Sequence, residues 1–159
     1  MYYTRLDTPV CEIILAGDED GLQHLHLNTG EGKRRFEVLP DWLRSDDFFV
    51  DTAAQIREFC TGERRVFDIK LNPQGTDFQS RVWSELQRIP YGETRSYGEI
   101  ASALGKPSAA RAVGTANGRN PIPLIIPCHR VIGADGSLAG FAHGIAVKQR
   151  LLMIEKMQR

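Results

Sequence analysis

The segment Pro127-Cys128-His129-Arg130-Val131-Ile132-Gly133 places a cysteine directly before a histidine. Short apolar runs flank the pair, Leu124-Ile125-Ile126 before it and Val131-Ile132 after it. Because such runs are typical of core segments, we expect the pair to lie beside a buried wall with one side facing a pocket. A thiol is a strong nucleophile only as the thiolate, and a nearby imidazole is a common means of forming one. For the dipeptide alone, an inert cysteine beside a surface histidine is the commoner arrangement.

Upstream of the pair, the chain reads Asn120-Pro121-Ile122-Pro123-Leu124-Ile125-Ile126-Pro127. Its three prolines exclude a helix and hold the approach to Cys128 extended. Joined to Cys128-His129-Arg130-Val131, this string closely resembles the active-site signature of the O6-alkylguanine-DNA alkyltransferases, which repair alkylated guanine and are consumed in doing so. The resemblance extends from about Gly75 to the C-terminus and, more loosely, over the N-terminal part.

The resemblance implies an α/β (α+β) fold. A small antiparallel-sheet N-terminal domain, ribonuclease H-like, would pack on a mainly helical C-terminal domain with a winged-helix-like helix-turn-helix. The segment Asn72-Pro73-Gln74-Gly75 breaks the chain, so we place the boundary there and predict domains 1–74 and 75–159.

Composition restricts the class of protein. A chain of 159 residues accommodates one ordinary domain or two small ones that share a core. No stretch approaches the ~18 apolar residues of a membrane span, and residues 1–7 lack the apolar core of a signal peptide. Three widely spaced cysteines, Cys11, Cys60 and Cys128, argue against a disulfide framework and for a reducing, cytoplasmic compartment.

The formal net charge of zero hides an asymmetry between the halves of the chain. Residues 1–80 carry 9 Lys+Arg against 15 Asp+Glu, a net of −6, whereas residues 81–159 carry 11 against 5, a net of +6. This polarity predicts a nucleic-acid face on the second half. Accidental sorting of charge is the alternative.

Alternating segments of the N-terminal half predict strands. Residues 2–6, 10–16 and 22–27 are expected to form an antiparallel meander. His24 and His26 alternate with leucines, so we expect both imidazoles to face solvent. Some alkyltransferases carry a structural zinc in this half, but this chain lacks a close cysteine pair, so we expect no metal.

A polar loop, a helix and a further strand are predicted to follow. Residues 30–35 are basic and predict a solvated loop. Residues 51–60 predict a helix that is capped by Asp51 or Thr52 and ended by Gly62. Residues 66–71 alternate and predict another strand.

Capping signals organise the second half. Thr76 and Gln79 have capping-box spacing and start a helix, and Ser96 and Glu99 repeat that spacing before a second helix over residues 97–104. Ser108 is predicted to cap a third helix over residues 109–117. The apolar face of the first helix consists of Phe78, Val82, Leu86 and Ile89, widened by Trp83.

The second and third of these helices, joined by a glycine-containing turn, match a helix-turn-helix. The third is rich in small residues and carries one long basic side chain, Arg111. On these residues alone, insertion into a DNA groove and packing against a neighbouring helix are evenly balanced. The resemblance implies that this helix enters the minor groove and that Arg111 fills the gap left by an extruded base. The implied DNA-contacting residues are Tyr97, Ser108, Ala110, Arg111, Ala112, Gly114, Thr115 and Asn117.

A glycine-rich stretch, residues 133–144, is expected to fold as a loop, and in the family the matching loop walls the guanine pocket. The last helix is predicted over about residues 146–157, with Glu155 at the border of its apolar stripe. A carboxylate there is by itself most often a surface charge. The implied pocket residues are Val131, Phe141, Ala142 and Lys148.

The resemblance assigns a role to each catalytic candidate. Cys128 would be the nucleophile, His129 the base acting through a water, and Glu155 the group that orients His129. Asn120 would hold the turn that carries Cys128. Tyr97 would donate toward the guanine ring and crowd the adjacent phosphate, and no cofactor is expected.

The implied function is direct-reversal repair by a single-turnover methylated-DNA–protein-cysteine S-methyltransferase. Its partner would be double-stranded DNA containing O6-alkylguanine, with O4-methylthymine as a further substrate, and the base would be flipped out of the duplex. We expect a monomer and leave cooperativity on DNA open. Three alternatives remain: a non-catalytic lesion sensor, which would carry another residue in place of Cys128; a helix-turn-helix regulator with a thiol sensor; and a cysteine hydrolase.

Overall fold

The N-terminal sheet is a meander extended by one short strand. In the computed structural model, which describes residues 1–32, 34–138 and 141–157, β1 (Tyr2–Asp7), β2 (Glu12–Asp18) and β3 (Gly21–Asn28) pair antiparallel. β4 (Leu43–Arg44) joins β1 in parallel, so the strand order is β3-β2-β1-β4. The three predicted strands are confirmed. β4 was not predicted, because two residues show no periodicity.

One face of this sheet packs on α1 (Val50–Cys60). Leu15 and Leu25 are directly opposed across β2 and β3 and are buried, as are Ile56 and Phe59 of α1. Burying side chains of this size contributes about 1.5–3 kcal/mol each. The same apolar cluster continues into the second half of the chain, so the two halves share one core.

The start of α1 differs from the prediction. The helix begins at Val50, with Phe49 at the N-cap and no side-chain cap, so the predicted capping by Asp51 or Thr52 was wrong. A 3₁₀ turn, Asp47–Phe49, leads directly into α1 and buries Phe49, so entry into the helix is set by packing. Gly62, at φ +82°, ends the helix as predicted, because the left-handed region favours glycine.

Residues 66–71 do not form the predicted strand. Only Leu71 forms a bridge, to Leu22 of β3. The Gln55 side chain of α1 instead hydrogen-bonds both backbone groups of Asp68. Its Oε1 accepts from the Asp68 N–H at 2.8 Å, and its Nε2 donates to the Asp68 carbonyl at 3.0 Å. The side chain thereby supplies the partners that a neighbouring strand would otherwise provide.

His24 and His26 do not both face solvent, and that expectation was wrong. His26 is buried, His24 is half-buried, and both rings lie against Phe36, with centroids 5.4 and 5.3 Å away. Trp42 completes the cluster. The segment after β3 folds back over this face of the sheet and covers it.

The second half contains the predicted helix-turn-helix. α2 (Asp77–Leu86) and α3 (Tyr97–Ala103) begin with the two predicted capping boxes, and α4 (Ala110–Gly118) packs against both. Gly105, at φ +75°, forms the turn between α3 and α4. Ala109 occupies the N-cap of α4 without a side-chain cap, so the predicted capping by Ser108 was wrong.

The cysteine segment is anchored between α4 and the last helix. β5 (Arg95–Ser96) pairs in parallel with β6 (Val131–Ile132), which places residue 131 beside the start of α3. α5 (Ile145–Met157) follows the glycine-rich loop, whose residues 139–140 lie outside the described residues. Within the described ranges, no helix combines the length and apolar character needed to cross a bilayer.

Candidate active site

Asn120 holds the turn that carries Cys128. Its Oδ1 accepts a hydrogen bond from the Ile122 N–H at 2.9 Å, and its Nδ2 donates to the Ile126 carbonyl at 2.7 Å. Between them, Leu124 adopts φ +77°, a conformation that costs a branched residue free energy and persists only where its surroundings enforce it. The segment therefore presents Cys128 at the start of a 3₁₀ turn, Cys128–Arg130, in a defined position.

Cys128, His129 and Glu155 come together in the interior. Cys128 is buried, and the His129 ring is wholly inaccessible to solvent. The His129 Nε2 lies 2.6 Å from Oε2 of Glu155. An ionised carboxylate only accepts hydrogen bonds, so this contact assigns the proton to Nε2 and leaves a lone pair on Nδ1. Nδ1 has no hydrogen-bond partner among the described residues, as a base awaiting a bridging water would require.

Arg130 is a site residue that the sequence analysis missed. Its Nε donates to both oxygens of Glu155 at 2.9 and 3.1 Å, and its Nη1 donates to the Ile89 carbonyl at 2.8 Å. The Gly92 N–H is a third donor to Glu155, at 2.9 Å. The sequence does contain a sign of this role, since Arg130 lies inside an apolar string. An arginine there is expected to be buried, and a buried guanidinium group requires a partner of opposite charge.

These contacts decide the charge on Glu155. Burial alone would raise the pKa of this carboxyl group, but hydrogen bonds and charges from His129 and Arg130 outweigh burial and lower the pKa to about 2. Glu155 is therefore ionised at neutral pH and holds His129 in one tautomer.

The reacting pair is uncharged in the resting protein. Burial raises the pKa of the Cys128 thiol to about 11. A hydrogen bond with Asn120 and the positive charges of Lys148 and Arg34 act in the opposite direction. Burial lowers the pKa of His129, against the opposing effect of Glu155. The Cys128 thiol is thus protonated and the imidazole of the next residue, His129, is unprotonated, so the thiolate forms only when the thiol proton can leave.

Lys148 links α5 to the wall of the site. Its side chain is fully buried, and its Nζ donates to the Val131 carbonyl at 2.6 Å. The same ammonium group lies 5.7 Å from the centroid of the Phe141 ring. Ala142, half-buried, follows Phe141 in the loop. The Lys148 ammonium group therefore contacts two of the predicted pocket residues, Val131 on β6 and Phe141 on the loop.

The outer face of α4 presents small side chains around Arg111. Arg111, Ala112 and Thr115 are exposed, as is Ser108 just before the helix. Ala110 is half-buried. The exposed residues are three or four positions apart, so they lie on one side of the start and middle of the helix.

Tyr97 and Asn117 lie on the inner side of this surface. The Tyr97 ring packs over Gly114, where a Cβ added to the glycine would meet the ring at 3.7 Å, an ordinary contact distance. Burial and the nearby Cys128 raise the pKa of Tyr97, so its hydroxyl stays a donor. Asn117 is buried, and its Nδ2 lies 3.5 Å from the Cys128 carbonyl. Asn117 therefore faces the cysteine turn, away from the exposed side of the helix.

Arg34 was also missed, because the loop over residues 30–35 was predicted to be solvated. Its Nη1 donates to the Gly118 carbonyl at 2.9 Å, at the end of α4, so that prediction was wrong for this residue. Lys33 lies outside the described residues. In the part of the chain that the structure describes, no group of three or more His, Cys, Asp or Glu side chains has the arrangement of a metal site.

Comparisons with known proteins agree with this geometry. The family model described as "6-O-methylguanine DNA methyltransferase, ribonuclease-like domain" matches residues 1–73, and the "DNA binding domain" model of the same family matches residues 77–157. A Methanosarcina acetivorans protein named methylated-DNA–protein-cysteine methyltransferase is 50% identical over 155 residues, which cover 98% of each chain.

Relatives from Mycobacterium tuberculosis extend the match to structure. A protein of the same name is 47% identical over 158 residues, covering 98% of this chain and 93% of the relative. The crystal structure of M. tuberculosis OGT in complex with DNA has a TM-score of 0.91 at 46% identity, covering 99% of this chain and 94% of the other. These matches confirm the resemblance and the predicted fold class. The chain belongs to the 6-O-methylguanine DNA methyltransferase family.

Proposed function

We propose that this protein repairs DNA by direct reversal, with Cys128 taking the alkyl group from O6 of an alkylated guanine and retaining it. The observation that carries the proposal is the buried contact in which Glu155 binds Nε2 of His129, the residue after Cys128, and leaves Nδ1 without a partner in the described part of the chain and able to accept a proton. Membership of the 6-O-methylguanine DNA methyltransferase family supports it.

Binding is proposed to occur through α4. Small exposed residues such as Ala112 let the helix approach the minor groove closely, and Arg111 is the long cation that occupies the gap in the base stack. The reactive carbon is out of reach of a buried thiol while guanine is paired, so the nucleotide must rotate out of the duplex. Tyr97, behind α4, crowds the backbone phosphate and favours this rotation.

Transfer is a displacement at the alkyl carbon. The proton of the Cys128 thiol passes through a water to Nδ1 of His129, the sulfur–carbon bond forms, and the carbon–O6 bond breaks. The electron pair of the broken bond remains on guanine, which Tyr97 stabilises by hydrogen bonding. The proton released by the thiol finally resides on guanine, so the products are a neutral base and a thioether. O4-methylthymine, which also carries its alkyl group on an exocyclic oxygen, is proposed as a second substrate.

The protein is proposed to act once, as a monomer. The carbon–sulfur bond of the thioether is stable, and thiol exchange, which cleaves sulfur–sulfur bonds, does not reverse it. Burial raises the pKa of both other cysteines, Cys11 to about 11, which keeps them protonated. We assign DNA binding and transfer to residues 75–159 and the support of the site to residues 1–74.

Intact mass spectrometry tests the proposal. The protein is incubated with a duplex containing O6-methylguanine and then digested for peptide mapping, with an unmodified duplex as the control. We expect the mass to increase by one methyl group, located on Cys128, and the reaction to stop at one equivalent. No increase with tight binding to the lesion would identify a sensor, and no increase without preference for the lesion would favour a regulator.

A further inference from the structure

A short N-terminal segment contacts two parts of the site that are far apart in sequence. We call residues 29–32 together with Arg34 the bridging segment. It follows β3 and reaches both the loop at residues 141–144 and the C-terminal end of α4. None of the reacting groups belongs to it, so the transfer mechanism leaves its role unexplained.

The first contact is with the pocket wall. The Thr29 hydroxyl donates to the His143 carbonyl at 2.9 Å, and the Arg34 N–H donates to the Ala142 carbonyl at 3.1 Å. Gly32, at φ +72°, approaches so closely that any side chain there would collide with the Ala142 carbonyl oxygen. The two segments thus contact each other through their backbones, and both contribute residues to the lining of a groove of about 610 Å³.

The second contact is with the end of the recognition helix. The Arg34 guanidinium group donates to the Gly118 carbonyl at 2.9 Å and to the Arg119 carbonyl at 3.4 Å. The last carbonyls of a helix lack partners within the helix, and a cation there interacts favourably with the helix dipole. Asn120, which holds the cysteine turn, comes directly after this point in the chain.

We infer that Arg34 is a positioning residue for alkyl transfer, because it fixes the pocket wall and the end of α4 in one arrangement. A base extruded by α4 then enters a pocket whose wall is already in register with Cys128. The inference rests on the proposed function. The Arg34 cation also lies near enough to Cys128 to favour the thiolate.

Two other roles for Arg34 make different predictions. If it only joined the two halves of the fold, its loss would lower stability without a specific effect on transfer. If it bound a DNA phosphate, its loss would weaken binding to any duplex and leave the transfer rate at saturating DNA unchanged. The neighbouring Arg35 is a matched control, since it is exposed and, among the described residues, its side chain donates to the backbone carbonyls of Gly32 and Arg34 alone.

The experiment measures the first-order rate of Cys128 methylation at saturating duplex, together with the dissociation constant for duplex with and without O6-methylguanine. Misplacement by about 1 Å can cost up to about a hundredfold, so we expect Arg34→Ala to lower the saturated rate about ten- to a hundredfold. Arg34→Lys, which keeps the charge and one donor, should recover part of the loss. Arg35→Ala should leave the saturated rate unchanged.

A second variant tests the contact with the pocket wall and does not depend on Arg34→Ala folding. Thr29→Val keeps the shape and removes the hydrogen bond to the His143 carbonyl, together with the local hydrogen bonds to the Glu31 backbone. The bond to the pocket wall is worth about 1 kcal/mol, so we expect the saturated rate to fall about fivefold. Wild-type saturated rates in Arg34→Ala and Thr29→Val, or a loss confined to the dissociation constant, would overturn the inference. Absence of methylation in the wild type would instead contradict the proposed function.

Discussion

At the scale of single residues, the site keeps Cys128, the proposed nucleophile, protonated. Burial raises the pKa of Cys128 to about 11 and lowers that of His129, so the resting pair carries no charge. A protonated, enclosed thiol reacts slowly with oxidants, since the thiolate is the reactive form. Removal of the thiol proton is thereby coupled to the arrival of a substrate.

The first prediction concerns His129. Without its general base, His129→Gln should methylate Cys128 about 10²–10⁴-fold more slowly at pH 7.5. Because hydroxide must then remove a proton from a thiol with a pKa of about 11, the residual rate should rise with pH between about 8 and 10. The wild-type rate should stay level near neutrality and fall only well below pH 6.5, because the pKa of His129 is lowered.

Single-turnover assays across this pH range, with circular dichroism to verify folding, check the prediction. A rate for His129→Gln that does not change with pH would exclude deprotonation of Cys128 as the step that His129 assists.

At the scale of elements, α4 combines two surfaces in nine residues. Its outer face exposes Arg111 and Thr115, whereas its inner face buries Val113 and Asn117 in the core and against the cysteine turn. The helix that we propose to bind DNA is therefore in direct contact with the turn that carries Cys128.

The second prediction separates base extrusion from chemistry. Arg111→Ala should slow methylation from duplex DNA about ten- to a hundredfold. Taking the base out of the stack costs a few kcal/mol, and the variant lacks the arginine side chain that offsets this cost by filling the gap. Transfer from free O6-methylguanine, which needs no extrusion, should change little. Arg150→Ala, an exposed arginine on α5, is the control for general loss of positive charge. Equal slowing with both substrates would rule out a role of Arg111 in base flipping.

At the scale of the whole molecule, a shared core joins halves of opposite charge. Residues 1–80 carry a net −6 and residues 81–159 a net +6, yet their apolar side chains form one cluster. His143 of the pocket loop lies in the contact between the halves, 5.8 Å from the ring centroid of His26. Burial, His26 and Arg34 lower the pKa of His143 to about 4, from an ordinary value of 6.5.

The third prediction follows from this shift. The folded state disfavours protonated His143, so the stabilising effect is complete above pH 6.5 and is lost as the pH falls toward 4. Because unfolded His143 binds a proton more readily than folded His143, the unfolding equilibrium constant should be up to about tenfold larger at pH 5.5 than at pH 7.5. His143→Phe should remove this dependence and keep the ring packing.

Urea denaturation at several pH values measures the effect. An unchanged dependence on pH in His143→Phe would assign the acid sensitivity to other groups, such as His26 or His129, whose pKa values are also lowered by burial.

The sequence by itself determined the local features of this protein. Strand alternation, two capping boxes and the Cys-His signature are patterns among near neighbours. They were sufficient to predict β1 to β3, the starts of α2 and α3, and the family, although alternation failed at residues 66–71. Only the tertiary structure decided which distant groups meet. The pairing of β4 with β1, the packing of His26 against His143, and the contact of Arg34 with Gly118 join residues far apart in the chain, the last by 84 positions. No local periodicity encodes such contacts, because they arise when segments with weak patterns pack against a core that is already specified.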